Sequence, residues 1–398
     1  MDNNKNIRVI CQCLYVLNLP KQRFFWDDHR THKLYSGRAI GLHVLAQLLQ
    51  LKSYEDITEQ LQAHPELGQI FGMTSVSGPQ LSRETKALCT DTLQDLFYHL
   101  IGQIQERTKD GNGFSPSIGR LHLIDATDIR LPDFLGSWAR CGSRKTGVRL
   151  HVRLVVADSD TVFPDKVIAS TVNVREAKVS LELTLEDDVT YVMDRGYEKS
   201  EHVEKWLTDG IQFVVRVRDL LQLHPVPGTE RTIPSSESAQ TRILQDVDVL
   251  TNKTTKPARL VAFADETGRQ YRVLTSRWDL TADEIALIYK NRWRIELFFK
   301  WVKQHLKLVK LHGSHPDGVW NQLFLSLIAF AVSLLLKLNL QTPKTQWQVL
   351  KLVRTYMYKM WEELENAVFR PPTRKSRGRQ KVNGFGPSCK LPQRIILL

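Results

Sequence analysis

Residues 120–131 read RLHLIDATDIRL, an apolar run that arrives at a carboxylate, Asp125. Apolar residues at a period of two mark a strand with one buried face, and two later stretches share that character: GVRLHVRLVVAD (147–158) and DKVIASTVNV (165–174). Turn residues separate them, so three successive strands of one meander are expected. A helix around Ala177–Leu185 follows, then a short strand in TYVMDRGY (190–197), the helix EHVEKWLTDG (201–210) and the strand IQFVVRVRD (211–219). The order strand, strand, strand, helix, strand, helix makes this part α/β, a mixed sheet with flanking helices.

Immediately upstream, TKDGNGFSPSIGR (108–120) gathers Gly, Ser, Pro and Asn and reads as a linker. Residues 1–107 read as an all-α N-terminal domain, with helices in RAIGLHVLAQLLQL (38–51), YEDITEQLQAH (54–64) and QLSRETKALCTDTLQDLFYHLIGQIQ (80–105). Short segments carrying Pro65, Gly68, Gly72, Gly78 and Pro79 join them. The pair EDITEQL and SGPQLSRETKAL is either a DNA-reading element, in which Ser82, Arg83 and Lys86 face phosphates or bases, or a plain helical packing module.

The chain has 398 residues, of which 42% are hydrophobic, enough for the cores of two or three domains. Its formal net charge of +12 calls for a polyanionic partner, and nucleic acid is the commonest. Cys11, Cys13, Cys89, Cys141 and Cys389 are odd in number and lack CxxC or Cys/His zinc spacing, as expected for free thiols in a reducing cytoplasm. No charged segment followed by an apolar one marks a secretory signal. The apolar run Leu323–Leu336, interrupted by Ser326 and Ser333, is shorter than the roughly 20 residues that span a bilayer and is expected to be a buried core helix.

Three carboxylates fall at telling places. Asp125 follows LHLI and Asp194 follows YVM, which puts both at the mouth of a sheet, where an unpartnered charge is expensive. Glu296 lies in IYKNRWRIELFFKWVKQHLKL (288–308), read as one helix. There Tyr289, Arg292, Glu296 and Lys303 are spaced to share one stripe, while Trp293, Ile295, Phe298, Phe299, Val302 and Leu306 pack on the sheet. A divalent cation shared by the three carboxylates would resolve the cost of burying them, and all-oxygen donors suit magnesium or manganese. The bland alternatives are turn or cap roles for the aspartates and ordinary salt bridges on a solvated helix. Asp128 and Asp133 are nearby acidic residues without the same pattern.

The motifs IDAT, DRGY and Y-x2-R-x3-E-x6-K, taken in order, resemble the bacterial insertion-sequence transposases of the IS-four family over roughly residues 120–340. The resemblance implies an RNase H-like catalytic core, with Asp125, Asp194 and Glu296 as a DDE triad holding two Mg2+ ions, for which Mn2+ may substitute. It implies a DNA transposase that binds terminal inverted repeats, cuts at the element ends and transfers the 3′-hydroxyl into target DNA by a two-metal mechanism, as a homodimer on paired ends. Tyr289, Arg292 and Lys303 would then hold DNA phosphates. Two other readings keep part of this picture: a metal-dependent nuclease without strand transfer, and a catalytically silent DNA-binding repressor.

Between Asp194 and Glu296 lie 101 residues, and Leu221–Ser276 reads as a β-rich insertion with a hairpin of LVAFAD and YRVLTS. Family members with such an insertion stack a flipped base on an aromatic there; Tyr271 matches that position best and Trp278 is its rival. Arg144, Lys145 and Arg149 are expected to face the same cleft and bind backbone phosphates. Residues 341–398 read as a helical run, QWQVLKLVRTYMYKMWEELENAV (346–368), and a flexible basic tail, RPPTRKSRGRQK (370–381), that adds non-specific DNA affinity.

Overall fold

In the computed structural model, which describes residues 7–19, 34–109, 111, 113–131, 137–141, 145–158, 160–233, 241–306 and 315–371, the LHLI run enters the central sheet as β1 (Leu121–Arg130). It pairs antiparallel with β3 (Lys145–Val156), which carries the two-residue β2 (Arg140–Cys141) and the antiparallel β4 (Val162–Thr171). On its other side β1 runs parallel to β5 (Thr190–Met193), and β5 parallel to β6 (Gln212–Arg216). Parallel neighbours need crossovers that cover the sheet faces, which accounts for the wholly buried TYVM of β5.

The strand-rich stretch after β6 continues the same sheet. β7 (Leu223–Pro225), β8 (Arg242–Thr251), β9 (Ala258–Ala264) and β10 (Gln270–Thr275) run antiparallel in the order β10-β9-β8-β7, with β10 laid against β6 so that Val273 faces Arg216. The expected hairpin is β9–β10, turning at Asp265–Arg269. Ten strands thus form one mixed sheet.

Up to residue 108 the described residues hold helices and no strand: α1 (Val9–Leu17), α2 (Ser36–Leu49), α3 (Tyr54–Ala63), α4 (Pro65–Phe71), α5 (Gly78–Ala87) and α6 (Thr90–Thr108). α3 and α5 start on Ser53 and Ser77, whose hydroxyls accept from Asp56 and Gln80 backbone N–H groups. α4 occupies a segment expected to be a connection. Pro65 at its first turn and Gly72 at φ +59° at its end delimit it. The stretch 80–105, expected as one helix, breaks at Leu88 and Cys89, where Leu88 turns to ψ 138°. Asn321 caps that break: its side-chain amide donates to the Thr85 and Leu88 carbonyls at 2.8 and 2.7 Å, and its carbonyl accepts from Thr90.

Crossover helices α7 (Glu176–Leu183) and α8 (Ser200–Thr208) flank the sheet, and α9 (Ala282–Lys290) and α10 (Trp293–His305) return to it after β10. α11 (Pro316–Leu340) extends well beyond the apolar run seen in the sequence: at 25 residues it is long and apolar enough to cross a membrane, yet 83% of its most apolar window is buried inside the protein. Helices α1, α2, α5 and α6 pack on it, as do α10 and α12 (Gln346–Tyr356). The last described helix is α13 (Trp361–Phe369), split from α12 where one helical run was expected. Two side chains from remote helical parts hold the end of α10: Gln50 donates to the Gln304 and His305 carbonyls at 3.2 and 3.1 Å, and Arg354 to His305 at 2.9 Å. The basic tail beyond residue 371 lies outside the described residues.

Candidate active site

Register alone brings two of the carboxylates side by side. Ile124 of β1 is level with Met193 of β5, so Asp125 and Asp194, one residue further on, stand at the same height on adjacent central strands. Glu296 comes from the first turn of α10, which packs against β1. Arg292 joins them: Nη1 donates to Asp125 Oδ2 at 3.0 Å and Nη2 to Glu296 Oε1 at 2.5 Å. The Tyr289 hydroxyl donates to Asp194 Oδ1 at 3.1 Å, and Arg216 lies 3.8 Å from the same oxygen.

The described residues 288–306 do not form the single helix expected over 288–308. Between α9 and α10 the backbone bonds step back three residues, Arg292 to Tyr289, Arg294 to Asn291 and Ile295 to Arg292. Asn291 also turns its side-chain amide onto the Leu287 carbonyl at 2.9 Å, the local competition that makes Asn a poor helix-interior residue. Tyr289 therefore ends one helix while Arg292 and Glu296 open the next. Trp293, expected to pack on the sheet, is 59% exposed, because this tightened turn rotates it outward.

Burial pushes the Asp125 carboxyl up to about 6, aided by Asp194 and Glu176 and opposed by the Ala126 N–H and Arg292. For Arg292, burial is outweighed by the Asp125 and Asp194 charges and the Glu296 hydrogen bond, which hold the guanidinium firmly charged. Burial and the Asp194 charge both keep the Tyr289 hydroxyl protonated. An open cleft of about 460 Å³ lies alongside, lined by Asp125, Ala126, Glu296, Phe299, Lys300, Lys303 and Gln304. Lys303 reaches the Asp128 carbonyl at 3.2 Å, and burial lowers its pKa.

The remaining expected contacts are placed differently. Arg149 spends its fork on Asp128, at 2.6 and 2.9 Å, and sits 3.8 Å from Glu176, so its donors are committed within the protein. Lys145 begins β3, but its side chain, like Arg144 and Asp133, lies outside the described residues. Arg83 is exposed on α5 and is not among the residues that line the cleft. Tyr271 stacks on Phe263, ring centroids 5.3 Å apart, lies 5.7 Å from the Tyr289 ring and is flanked by Arg216 and Arg269. Trp278 follows Arg277, whose guanidinium donates to Thr190 at the start of β5, the end of the strand opposite Asp194. The register thus puts Tyr271 at the carboxylate end of the sheet and Trp278 at the far end.

Sequence reasoning missed four residues beside the carboxylates. Arg216 could have been found as the lone cation inside the apolar strand FVVR. Glu176 gave no signal, since a glutamate opening a helix reads as a favourable charge on its dipole. Its carboxylate lies over Gly196 of DRGY, in the space a Cβ would take, so a side chain there would push the Glu176 carboxylate aside. Tyr197 is fully buried and its hydroxyl has no hydrogen-bond partner, although it lies within electrostatic reach of Asp125 and Glu176. Lys300 shares the cleft wall with Lys303.

The donor set around the cleft is carboxylate and hydroxyl oxygen, the chemistry of hard divalent cations. An under-neutralised Asp125 and the orphaned Tyr197 hydroxyl both fit a ligand that brings positive charge and water. Among the described residues no three acidic, His or Cys side chains stand ready-clustered to hold an ion, because Arg292 lies between Asp125 and Glu296.

The sequence profile of a family described as Transposase DDE domain matches residues 117–332. A Geobacillus stearothermophilus protein named probable transposase for insertion sequence element IS5377 is 29% identical over 306 residues, which cover 77% of each chain. A Sinorhizobium fredii protein named transposase y4zB is 29% identical over 288 residues, 70% of this chain and 76% of its own. A Synechocystis protein named as a transposase for insertion sequence element IS4SA is 24% identical over 186 residues, 45% of this chain and 50% of its own.

Proposed function

This chain belongs to the Transposase DDE domain family, and from that premise we propose that Asp125, Asp194 and Glu296 are its catalytic, metal-holding carboxylates. The family implies an enzyme that cuts DNA and transfers strands. The observation that carries the assignment is the convergence of Asp125 from β1, Asp194 from the end of β5 and Glu296 from α10 on Arg292 and Tyr289. The order β4-β3-β1-β5-β6, with β1, β5 and β6 parallel, supports reading this part as an RNase H-like core.

Divalent ions held by these carboxylates, Mg2+ or Mn2+, would activate a water or a 3′-hydroxyl and stabilise the leaving oxygen of a phosphodiester. The chain's own residues supply the rest. Lys300 and Lys303 line the cleft as phosphate contacts, and Arg216 with Tyr271 flanks the Asp194 side, where an extruded base would find an aromatic ring. The substrates are the inverted-repeat ends of an insertion sequence and a target duplex, processed by cut-and-paste. A homodimer holds two ends together, and the reaction takes place at the bacterial nucleoid.

The test is cleavage and joining of DNA carrying the element's own ends with Mg2+ or Mn2+. Glu296→Ala and Asp194→Asn are expected to bind ends but to lose both reactions by about 10³-fold or more. Variants that cut as well as the wild type would overturn the assignment, and a wild type that cuts but never joins would move the protein to a nuclease.

A further inference from the structure

The cations around the carboxylates are not alike. Lys303 is tied to a backbone carbonyl, and Arg216 stays 3.8 Å from Asp194. Among the described residues Arg292 alone bridges two of the carboxylates, 3.0 Å from Asp125 and 2.5 Å from Glu296, and its guanidinium hydrogen bonds go to these two groups. A guanidinium presents N–H donors in a rigid plane, so it can span two acidic side chains from different elements, as a divalent ion does, with one charge instead of two. Asp125 and Glu296, whose oxygens it occupies, both line the cleft through which an ion would enter. A divalent ion drawn to these oxygens therefore competes with the guanidinium for them and is repelled by its charge.

Resting on the metal-holding reading of these carboxylates, we infer that Arg292 is a resident counter-ion that keeps the DNA-free site closed to divalent metal. A DNA phosphate entering the cleft draws the guanidinium away, and metal takes its place on Asp125 and Glu296. The position of Arg292 suits an exchange. It sits at the tightened turn between α9 and α10, and among the described residues its guanidinium bonds side-chain carboxylates and no backbone carbonyl. The Tyr289 ring, 5.9 Å from the guanidinium, offers a face on which the released charge can rest near the cleft. By linkage, DNA and metal then bind cooperatively, each raising the affinity of the other by the same factor. An arginine that belongs to the DNA-binding surface once DNA is present thus acts as a guard in its absence.

The experiment is calorimetric titration of Mn2+ alone into DNA-free wild type, Arg292→Gln, Arg292→Lys and Asp125→Asn. Arg292→Gln, which removes the competing charge, is expected to bind Mn2+ about tenfold or more tightly than the wild type. Arg292→Lys keeps the charge but can span only one carboxylate, and should fall between them; if Arg292→Gln does not fold, the lysine variant must still exceed the wild type. A short duplex carrying the element's end should tighten Mn2+ binding by the wild type more than by Arg292→Gln. Equal affinities in wild type and both Arg292 variants, with Asp125→Asn weakened, overturn the counter-ion role and leave the metal site standing. Mn2+ binding that is indifferent to Asp125→Asn overturns the metal reading and the inference together.

Discussion

Two clusters of buried charge lie in one sheet, and they are built on opposite rules. Around β8 and β9, Arg259 grips Asp246 with both prongs, at 2.8 and 2.7 Å, and donates to the Arg277 and Leu280 carbonyls. Asp248 accepts from Arg231 and Trp278, and Arg277 from its other side holds Asp279 and the Ile118 carbonyl. Every arm ends on a partner, and the Arg259 and Asp246 side chains are only 3% and 6% exposed. At the other cluster, Asp125, Asp194, Glu296 and Arg292 remain 15–33% exposed beside an open cleft, and a buried tyrosine hydroxyl has no partner. The first cluster is saturated and holds the sheet together. The second keeps unmet demand, and that separates a site for ligands from a structural ion pair more sharply than does burial or charge.

The same substitution in both clusters is the most direct way to break the contrast. Asp246→Asn should cost about 3–5 kcal/mol in denaturant unfolding, since it strands a buried guanidinium, while replacing Arg259 and Asp246 together by Met and Leu should recover most of the loss. A single variant that unfolds like the wild type would show that saturation has no structural weight.

His151 sits between the two extremes, buried in β3 with Nε2 on Ser170 and Nδ1 without a partner. Burial, with Arg149 acting in the same direction, lowers its pKa from 6.5 to about 4. The folded protein therefore binds fewer protons here than the unfolded chain, and stability is lost as pH falls from about 6.5 through 4. His151→Gln should remove a loss on the order of 2 kcal/mol from the wild-type profile between those limits, measured as unfolding midpoints against pH.

Asp194→Asn should change the unfolding free energy of the metal-free protein by no more than about 1 kcal/mol, because Asp194 belongs to the unsaturated cluster. A loss comparable to that of Asp246→Asn would erase the distinction. The smallest effect is expected outside both clusters. Arg83→Ala should weaken DNA binding uniformly across sequences and lower the salt slope by about one, with stability unchanged; a selective loss for the element's ends would instead make α5 a sequence reader.

How much of this could be read beforehand follows from the distance over which each signal acts. The strands at 121–130, 145–156 and 162–171 were legible because period-two apolar patterns are local. Asp125 and Asp194 stood out because a charge following an apolar run is conspicuous. The stripe of Tyr289, Arg292 and Glu296 was legible as spacing, but the break at Asn291 was not, since a tightened turn leaves residue spacing nearly intact while rotating Trp293 to solvent. Glu176 and the Gly196 beneath it were invisible because their relation is a contact between two elements. The splitting of 80–105 depends on Asn321, more than 200 residues away, and no local pattern could reveal it.

The clamp on α10 bears on the order in which the molecule is completed. A chain synthesised as far as Leu340 already contains Asp125, Asp194, Glu296 and Gln50, but not Arg354, whose guanidinium closes the last turn of the glutamate-bearing helix. If that closure matters, hydrogen exchange should be faster in α10 of a 1–340 fragment than in the full chain. The appearance of the acidic residues at the ribosome and the maturation of their geometry are then separate events in time, and the second waits for the final helices.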